Sequence, residues 1–440
     1  MSAKTLFAGG ALGTLMLERR NVLMDPNFTR ELHTDITPYT TAIMHGNTKT
    51  GIPDPMFKMF EHRTGVLKMQ FQVTSNVTIP ADRTASADVT IKDGTTLGLA
   101  GEKNNTADDS YKNFTFDVWS KDGVKKGGAY LLSVTDGTKV KFKLTSPIAI
   151  VLANDDYFVV TGNANGEGGY SREAWADELT LVQNQCQIFE TPVEVTGTLY
   201  EAALKGYSNE LARLRKDKQM LHSLQKEDTW LKGWSPLGTN MSGANSFVDG
   251  KLTDSDGKVV RTTMGFIPIV ETYGSDSGDN QNRFSINGAA YDYSNSVDQF
   301  EKIFTNSADG DTKFGFSGRG ALGFWSKLLA ASRVAGGAGW DIELSDKKRN
   351  KLGFNVRILS TPHGDLHLTP TKALRGNYNQ TICIPDMANI FHATYRASRF
   401  DHNIKTDNGY DGVKDRYFSD EGVGMTLIEN HQIMTIKQGA

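Results

Sequence analysis

The sequence predicts an α+β protein, and three observations predict it. Residues from about Val66 to Thr161 alternate apolar and polar side chains between turn-forming dipeptides, as half-buried strands do. One long amphipathic helix then runs from near Thr196-Gly197-Thr198 to about Glu227. Beyond it, strand and helix patterns are mixed rather than alternating, and the chain finishes in a strand pattern. No internal repeat of fixed period is present.

Residues 1–65 read as an arm with little core of its own. Isolated anchors such as Phe28, Tyr39, Phe57 and Phe60 stand among polar and small residues, so the segment gains stability only by lying on something else. In the β-rich part, Leu67 to Val73, Phe114 to Val118 and Val140 to Leu144 alternate apolar and polar. Asp93-Gly94, Asp122-Gly123 and Asp136-Gly137 suit hairpin turns, because glycine accepts positive φ without steric cost. Glu102 to Ser110 is a polar loop. This block reads as a small antiparallel module carried within a larger fold.

In the long helix, Leu204, Tyr207, Leu211, Leu214, Leu221 and Leu224 recur at spacings of three, four or seven and define its expected packing face. Roughly thirty residues at about 1.5 Å each would span about 45 Å. Arg213, Arg215, Lys216, Lys218 and Lys226 make the C-terminal half basic, which complements the negative end of the helix dipole. Arg213, Arg215, Lys216 and Lys218 are the candidate DNA-facing or subunit-facing residues, with a subunit salt bridge the stronger reading. Gly233, Pro236 and Gly238 stop the helix.

After a loop rich in Gly, Ser, Asn and Asp, Phe266 to Val270 reads as a strand. Val297 to Phe304 and Ala321 to Ala335 read as helices, Trp340 to Leu344 and Asn355 to Leu359 as strands. A helix near Asp386 to Ala393 and a strand over Gln432 to Lys437 close the pattern.

Composition narrows the function classes. With 440 residues, 38% hydrophobic and 22% charged, the chain can bury a substantial core and is not disordered overall. A net charge of −3 argues against tight nucleic-acid binding. Cys186 and Cys383 are the only cysteines, too few for a disulfide framework and without metal-type spacing. No apolar run approaches the roughly 20 residues of a membrane span. Arg19 and Arg20 follow the first apolar stretch instead of preceding it, the wrong order for a secretory signal. A soluble protein made in a reducing cytoplasm, with no membrane partner, is expected.

Four motifs invite chemistry. Gly318-Arg319-Gly320-Ala321-Leu322-Gly323 matches the dinucleotide pattern GxGxxG and opens a helix, with Asp341 near the offset of a ribose-binding acid. Lys313-Phe314-Gly315-Phe316 before it is a poor buried parallel strand, so a turn packed tightly on its neighbours is the better reading. His363 and His367 lie four apart, a spacing that converges on one metal only in a helix, and Pro362 and Gly364 argue for a turn and strand. Asp254-Ser255-Asp256-Gly257 resembles a fragment of a calcium loop but lacks its distal glutamate, which leaves a hairpin turn. Lys347 to Lys351 reads most simply as a solvated basic turn, with a weak contact to nucleic acid or another subunit as the alternative. No nucleophile elbow, Walker loop or HExxH motif is present. The reading is therefore not an enzyme, with no catalytic, metal-ligating or cofactor-binding residue and no cofactor.

The order of elements resembles the major capsid proteins of tailed bacteriophages with the Hong Kong 97 fold. Particular segments resemble the subgroup of SU-ten-like major head proteins. These are Gly162-Asn163-Ala164-Asn165-Gly166-Glu167-Gly168-Gly169, Asn184-Gln185-Cys186-Gln187-Ile188-Phe189 and Val193-Glu194-Val195-Thr196-Gly197-Thr198. Thr361-Pro362-His363-Gly364-Asp365-Leu366 and Ser419-Asp420-Glu421-Gly422-Val423-Gly424-Met425 complete the series. The resemblance covers most of residues 150–440.

The resemblance implies an N-terminal arm over 1–65 that lies across a neighbour. It implies an extended loop over 66–195 with an inserted β module at about 78–148, and a spine helix over 196–227 in a peripheral domain. An axial domain over 228–385 follows, and 386–440 returns to the peripheral domain as a helix and strands. The implied function is a virion shell of hexamers and pentamers, self-assembled in the bacterial host cytoplasm around double-stranded DNA. Implied partners are copies of itself, a portal protein, scaffolding or decoration proteins, and weak non-specific contact with packaged DNA. No residue matches a covalent cross-linking Lys/Asn pair. Two readings compete with this one. A tail, fibre or carbohydrate-binding protein would fit the β-rich half, and a nucleotide-dependent oxidoreductase would rest on Gly318 to Gly323.

Overall fold

The computed structural model describes residues 37–46, 48–61, 70–74, 76–82, 85–91, 112–136, 139–168, 180–201, 210–235, 252–274, 281–288, 293–305, 310–334, 343–344, 348–349, 355–404 and 411–437. The chain divides into two units: Lys58–Gln183 with Met425–Leu427, and Met1–Phe57 with Asn184–Gly424 and Ile428–Ala440.

The smaller unit is built on six strands. Their order is Gln70–Gln72, Tyr157–Asn163, Phe114–Trp119, Lys125–Asp136, Lys139–Leu144 and Ala87–Thr90, all antiparallel. An antiparallel bridge between Val73 and Ile91 joins the first strand to the last, so the sheet closes into a barrel and leaves no free edge. Alternation builds its interior. Phe114, Phe116 and Val118 point inward from one strand, and Val140, Phe142 and Leu144 from another. Phe71, Phe116, Phe142 and Phe158 meet at the centre, with ring centroids 4.6–6.3 Å apart. The barrel uses strands at 70–72 and 157–163, so the β module is wider than the expected 78–148. The Asp93-Gly94 turn and the loop Glu102 to Ser110 lie outside the described residues.

Among the described residues, two sheets of four and eight strands make up most of the larger unit's β-structure. Four strands run in the order Thr48–Thr50, Ile390–Asp401, Gly412–Met425 and Gln187–Thr196. Thr48–Thr50 is parallel to its neighbour, and Gln187–Thr196 is antiparallel to Gly412–Met425 over ten paired positions. The second, eight-stranded sheet has Arg283–Asn287, Gln432–Lys437, Thr381–Ile384, Thr312–Ser317, Gly364–Pro370, Asn355–Thr361 and Glu343–Leu344 in order, with Lys348–Arg349 beside Asn355–Thr361. Helices Tyr293–Thr305 and Arg319–Val334 supply Phe300, Ile303, Ala321 and Trp325 to the core of this sheet.

The structure corrects several expectations. Phe266–Tyr273 is a helix, not a strand. Its five leading residues are all buried, and an unbroken apolar run does not distinguish a buried helix from a buried strand. Pro268 sits in the first turn, where no intrahelical partner awaits its missing N–H. Asp386 to Ala393 is not a helix. The Asp386 carboxylate accepts the Ala388 N–H at 3.1 Å and the Asn389 and Asn430 amides at 2.9 Å, which closes a turn, and Ile390–Asp401 follows as a strand.

Two assignments to domains also shift. Gln432–Lys437 is a strand as expected but belongs to the eight-stranded sheet, whereas Gln187–Thr196, expected within the extended loop, belongs to the four-stranded sheet. Lys313 to Phe316 is a sheet strand after all. The buried Lys313 ammonium donates to the Asn430 carbonyl and to Gln432 Oε1, each at 3.0 Å, and Gly315 leaves room for Leu368.

The N-terminal segment also differs. Pro38–Gly46 is a helix lying on its own chain, with Tyr39 packed edge-on against Phe266 and Phe316 at 6.3 and 5.1 Å. Phe57 lies 6.1 Å from Phe391, whereas Phe60 is 65% exposed. Phe28 lies outside the described residues.

Candidate functional site

The long helix and the four-stranded sheet beneath it form the site. The described helical residues are Gly197–Glu201 and Glu210–Lys232. Strand Gln187–Thr196 buries every second residue, and Val193 and Val195 meet Leu211 in a small apolar cluster edged by Leu214, Val413 and Tyr417. Toward its C-terminus the helix changes character. His222, Lys226 and Glu227 are buried, followed by Trp230 and Leu231.

His222, Lys226 and Glu227 each have partners, as low dielectric requires of buried polar groups. His222 lies between Thr191 Oγ1 at 3.0 Å and Ser419 Oγ at 3.3 Å. Lys226 donates to Glu421 Oε2 at 3.0 Å and to Ser398 Oγ at 2.8 Å, and His392 Nε2 stands 3.3 Å from the same carboxylate oxygen. The Glu227 carboxylate accepts the N–H groups of Tyr39 and Thr40 at 3.1 and 2.7 Å and the hydroxyls of Thr40 and Thr371 at 2.7 and 3.1 Å. It therefore caps the Pro38–Gly46 helix from across the chain, where unpaired N–H groups and the helix dipole favour an acceptor.

Burial sets the protonation chemistry. It raises Glu227 to about 7, against the opposing pull of the Thr40, Tyr39 and Thr371 donors. It lowers His222 to about 4, helped by the Lys226 charge. For Glu421, burial pushes upward, but the His392 hydrogen bond and the Lys226 charge win and hold it near about 2. Lys226 and Glu421 thus form an ion pair on the hidden side of the helix.

Of the expected packing face, Leu211 is buried, Leu214 and Leu224 are half-buried, and Leu221 is 39% exposed. Leu204 and Tyr207 lie outside the described residues. The basic candidates separate. Arg215 faces its own sheet, with Nε and a terminal nitrogen 2.8 and 2.7 Å from the fully buried Asp415 Oδ2 and its guanidinium 5.5 Å from the Phe400 ring. Arg213 pairs with Asp217 one turn along at 3.0 Å. Lys216 is exposed and Lys218 half-buried.

The sequence reading missed His222, Glu227 and Glu421, and named Lys226 only as part of the basic half of the helix. A signal for part of this was available. Leu211, Arg215, His222, Lys226 and Trp230 recur at spacings of four or seven, a stripe as regular as the leucines but mixed in polarity.

The other motifs resolve structurally. Gly318 and Gly320 allow close approach of the Gly376–Gln380 turn. A Cβ on Gly318 would stand 2.2 Å from the Asn379 carbonyl oxygen, and the Gly320 N–H already donates to Asn379 Oδ1 at 3.0 Å. The helix N-terminus is thus occupied by protein where a pyrophosphate would sit. Asp341 lies outside the described residues. His363 lies in the turn between Asn355–Thr361 and Gly364–Pro370, and His367 on the second of these strands. Among the described residues no cluster of His, Cys, Asp or Glu could hold a metal, and no helix is long and apolar enough to cross a membrane. Asp254 to Gly257 is the turn of the hairpin Leu252–Thr253 with Val259–Val260, and Lys348–Arg349 is a short strand.

The sequence pattern of the family described as SU10 major capsid protein matches residues 37–423. No curated protein sequence matches the chain. Among solved structures, a chain of Mycobacterium phage Adephagia is similar at 7% identity, with 98% of this chain and 100% of that chain covered and a TM-score of 0.44. A chain of Mycobacterium phage Bobi is similar at 5% identity, covering 97% and 98%, with a TM-score of 0.41. The encapsulin SrpI of Synechococcus elongatus is similar at 6% identity, covering 59% and 77%, with a TM-score of 0.38.

Proposed function

This chain belongs to the SU10 major capsid protein family, and from that premise we propose how it builds a shell. The protein is a phage major capsid protein, a shell-forming component of the virion that associates with copies of itself. Its role is structural rather than catalytic. The observation that carries the assignment is the family match, which spans residues 37–423.

The finer reading follows the Hong Kong 97 layout. Copies form hexamers and pentamers of an icosahedral shell around double-stranded DNA. The long helix and four-stranded sheet act as the peripheral domain, and the eight-stranded sheet with its two helices as the axial domain. The barrel unit is carried on the extended loop. The N-terminal arm contacts a neighbouring copy, while the Glu227 cap holds the Pro38–Gly46 helix on its own subunit. Supporting this reading, Glu227 accepts three hydrogen bonds from a nine-residue helix at the start of the described residues. A portal protein and a scaffolding or decoration protein complete the set of partners. Contact with packaged DNA is weak and non-specific, consistent with the net charge of −3.

Deletion of residues 1–36 tests the arm. The truncated protein should remain folded and form capsomer-sized or smaller species that fail to close, as read by size-exclusion chromatography with light scattering. Closed particles from the truncation would contradict the arm's role.

A further inference from the structure

We propose that the acid-tipped hairpin Leu252–Val260 docks on the arginine-lined face of the four-stranded sheet in a second copy of this chain. The inference rests on the shell-forming reading and adds one specific contact to it.

The hairpin is built for an outside partner. Its two-residue strands pair only with each other among the described residues, and Leu252, Thr253, Val259 and Val260 are all exposed, Val259 by 58%. Two strands with bare apolar residues are marginal in water unless covered. Its turn is nevertheless fixed locally. Asp254 Oδ1 accepts the N–H groups of Asp256 and Lys258 at 3.0 and 2.8 Å, and Gly257 adopts φ +75°. The tip is acidic, and the Asp256 carboxylate is only loosely offset by Lys258 at 3.8 Å, with both side chains exposed.

The receiving face is the side of the sheet turned away from the long helix. Ile188 and Glu190 point there, opposite Asp420 and Phe418 in register. Three guanidiniums lie over the Phe418 ring: Arg396 at 4.5 Å, Arg399 at 4.9 Å and Arg416 at 5.2 Å. With Arg261, four guanidiniums meet three carboxylates, Asp420, Asp401 and Glu190, a surplus of one positive charge. Arg399 is the most exposed of them, its side chain 52% accessible, and Ile188, paired with Asp420, adds exposed apolar surface to the same face. Acid with exposed aliphatics on the hairpin thus matches arginine with an exposed aliphatic on the sheet. The tip does not use its own copy of this face: Asp254 closes its own turn, and Asp256 pairs with Lys258. The carboxylates interleaved with the arginines make the face a poorer match for a phosphate backbone than for an isolated acid.

The test is a reciprocal charge exchange at two positions that neither fold depends on. Asp254, not Asp256, supplies the turn's acceptor, and Asp401, the partner Arg399 would give up, keeps Arg416 at 2.9 Å. Asp256→Lys and Arg399→Glu should each lower the yield of assembled particles about tenfold, because a repulsion repeats at every copy of the contact. The double variant should recover to near the wild-type yield. Circular dichroism of each variant verifies the fold. Single variants that assemble like wild type, or a double variant no better than the worse single, would overturn the contact. So would Arg399→Glu particles formed in normal yield with less DNA, which would assign the face to nucleic acid. Wild type that never associates in the same assay would contradict the shell reading itself, and the inference with it.

Discussion

At the centre of the barrel four phenylalanines touch one another, each ring in contact with the other three. At the corresponding depth under the long helix stand His222, Lys226, Glu227 and Glu421. The barrel closes on itself through Val73 and Ile91 and so completes its hydrogen bonding locally. The helix layer joins residues nearly two hundred positions apart, Thr40 to Glu227 and Lys226 to Glu421. Burial of apolar area stabilises the first in any arrangement that excludes water, whereas charge pairs stabilise the second in one geometry only. The barrel is therefore a self-sufficient cargo of the fold, and the helix layer is the part whose register is specified.

Four substitutions would break or sharpen that contrast, in descending order of effect. Phe142→Ala opens a cavity among the four rings and should cost about 3–5 kcal/mol in the barrel's unfolding transition alone, as read by urea denaturation. Lys226→Met strands the Glu421 carboxylate and should cost about 3–5 kcal/mol in the other transition. Replacing both partners, Lys226→Met with Glu421→Leu, should regain most of that loss. If the double change is as damaging as the single one, the pair acts by more than mutual charge compensation.

Third comes Glu227→Gln, which turns an amide nitrogen toward donors and should cost about 1–3 kcal/mol. Its sharper readout is pH. The folded carboxyl titrates near about 7, above its ordinary range, so the folded state holds the proton more tightly than the unfolded chain. That contribution to stability is complete below the unfolded value of 4.5 and is lost as pH rises through about 7. His222 runs the other way, its contribution present above 6.5 and lost as pH falls through about 4. Wild type should therefore show a shallow pH dependence between these limits, and Glu227→Gln should unmask stability that rises with pH. An unchanged profile would place the Glu227 titration elsewhere. The smallest effect belongs to Leu221→Ser, expected within about 0.5 kcal/mol because that leucine faces out.

Much of this architecture was legible where one side of an element meets water. Phe114 to Val118 and Val140 to Leu144 alternate clearly, and the Asp254 to Gly257 turn carries its own side-chain acceptor. Legibility failed where both sides are covered. Phe266 to Val270 and Ile390 to Thr394 are buried throughout, so neither period survives in the sequence. It failed again at the site. A leucine count along the helix points to Leu221, while the buried stripe is carried by His222, Lys226 and Glu227, whose partners arrive from residues 39–40, 371, 392 and 419–421. No local pattern encodes a partner that far along the chain.

The central claim is that this chain is a subunit that closes shells. Negative-stain electron microscopy of the purified full-length protein, beside size-exclusion chromatography, tests it most directly. Closed particles, tubes or uniform rings of five and six subunits are the predicted result. A monodisperse monomer at every concentration would contradict it.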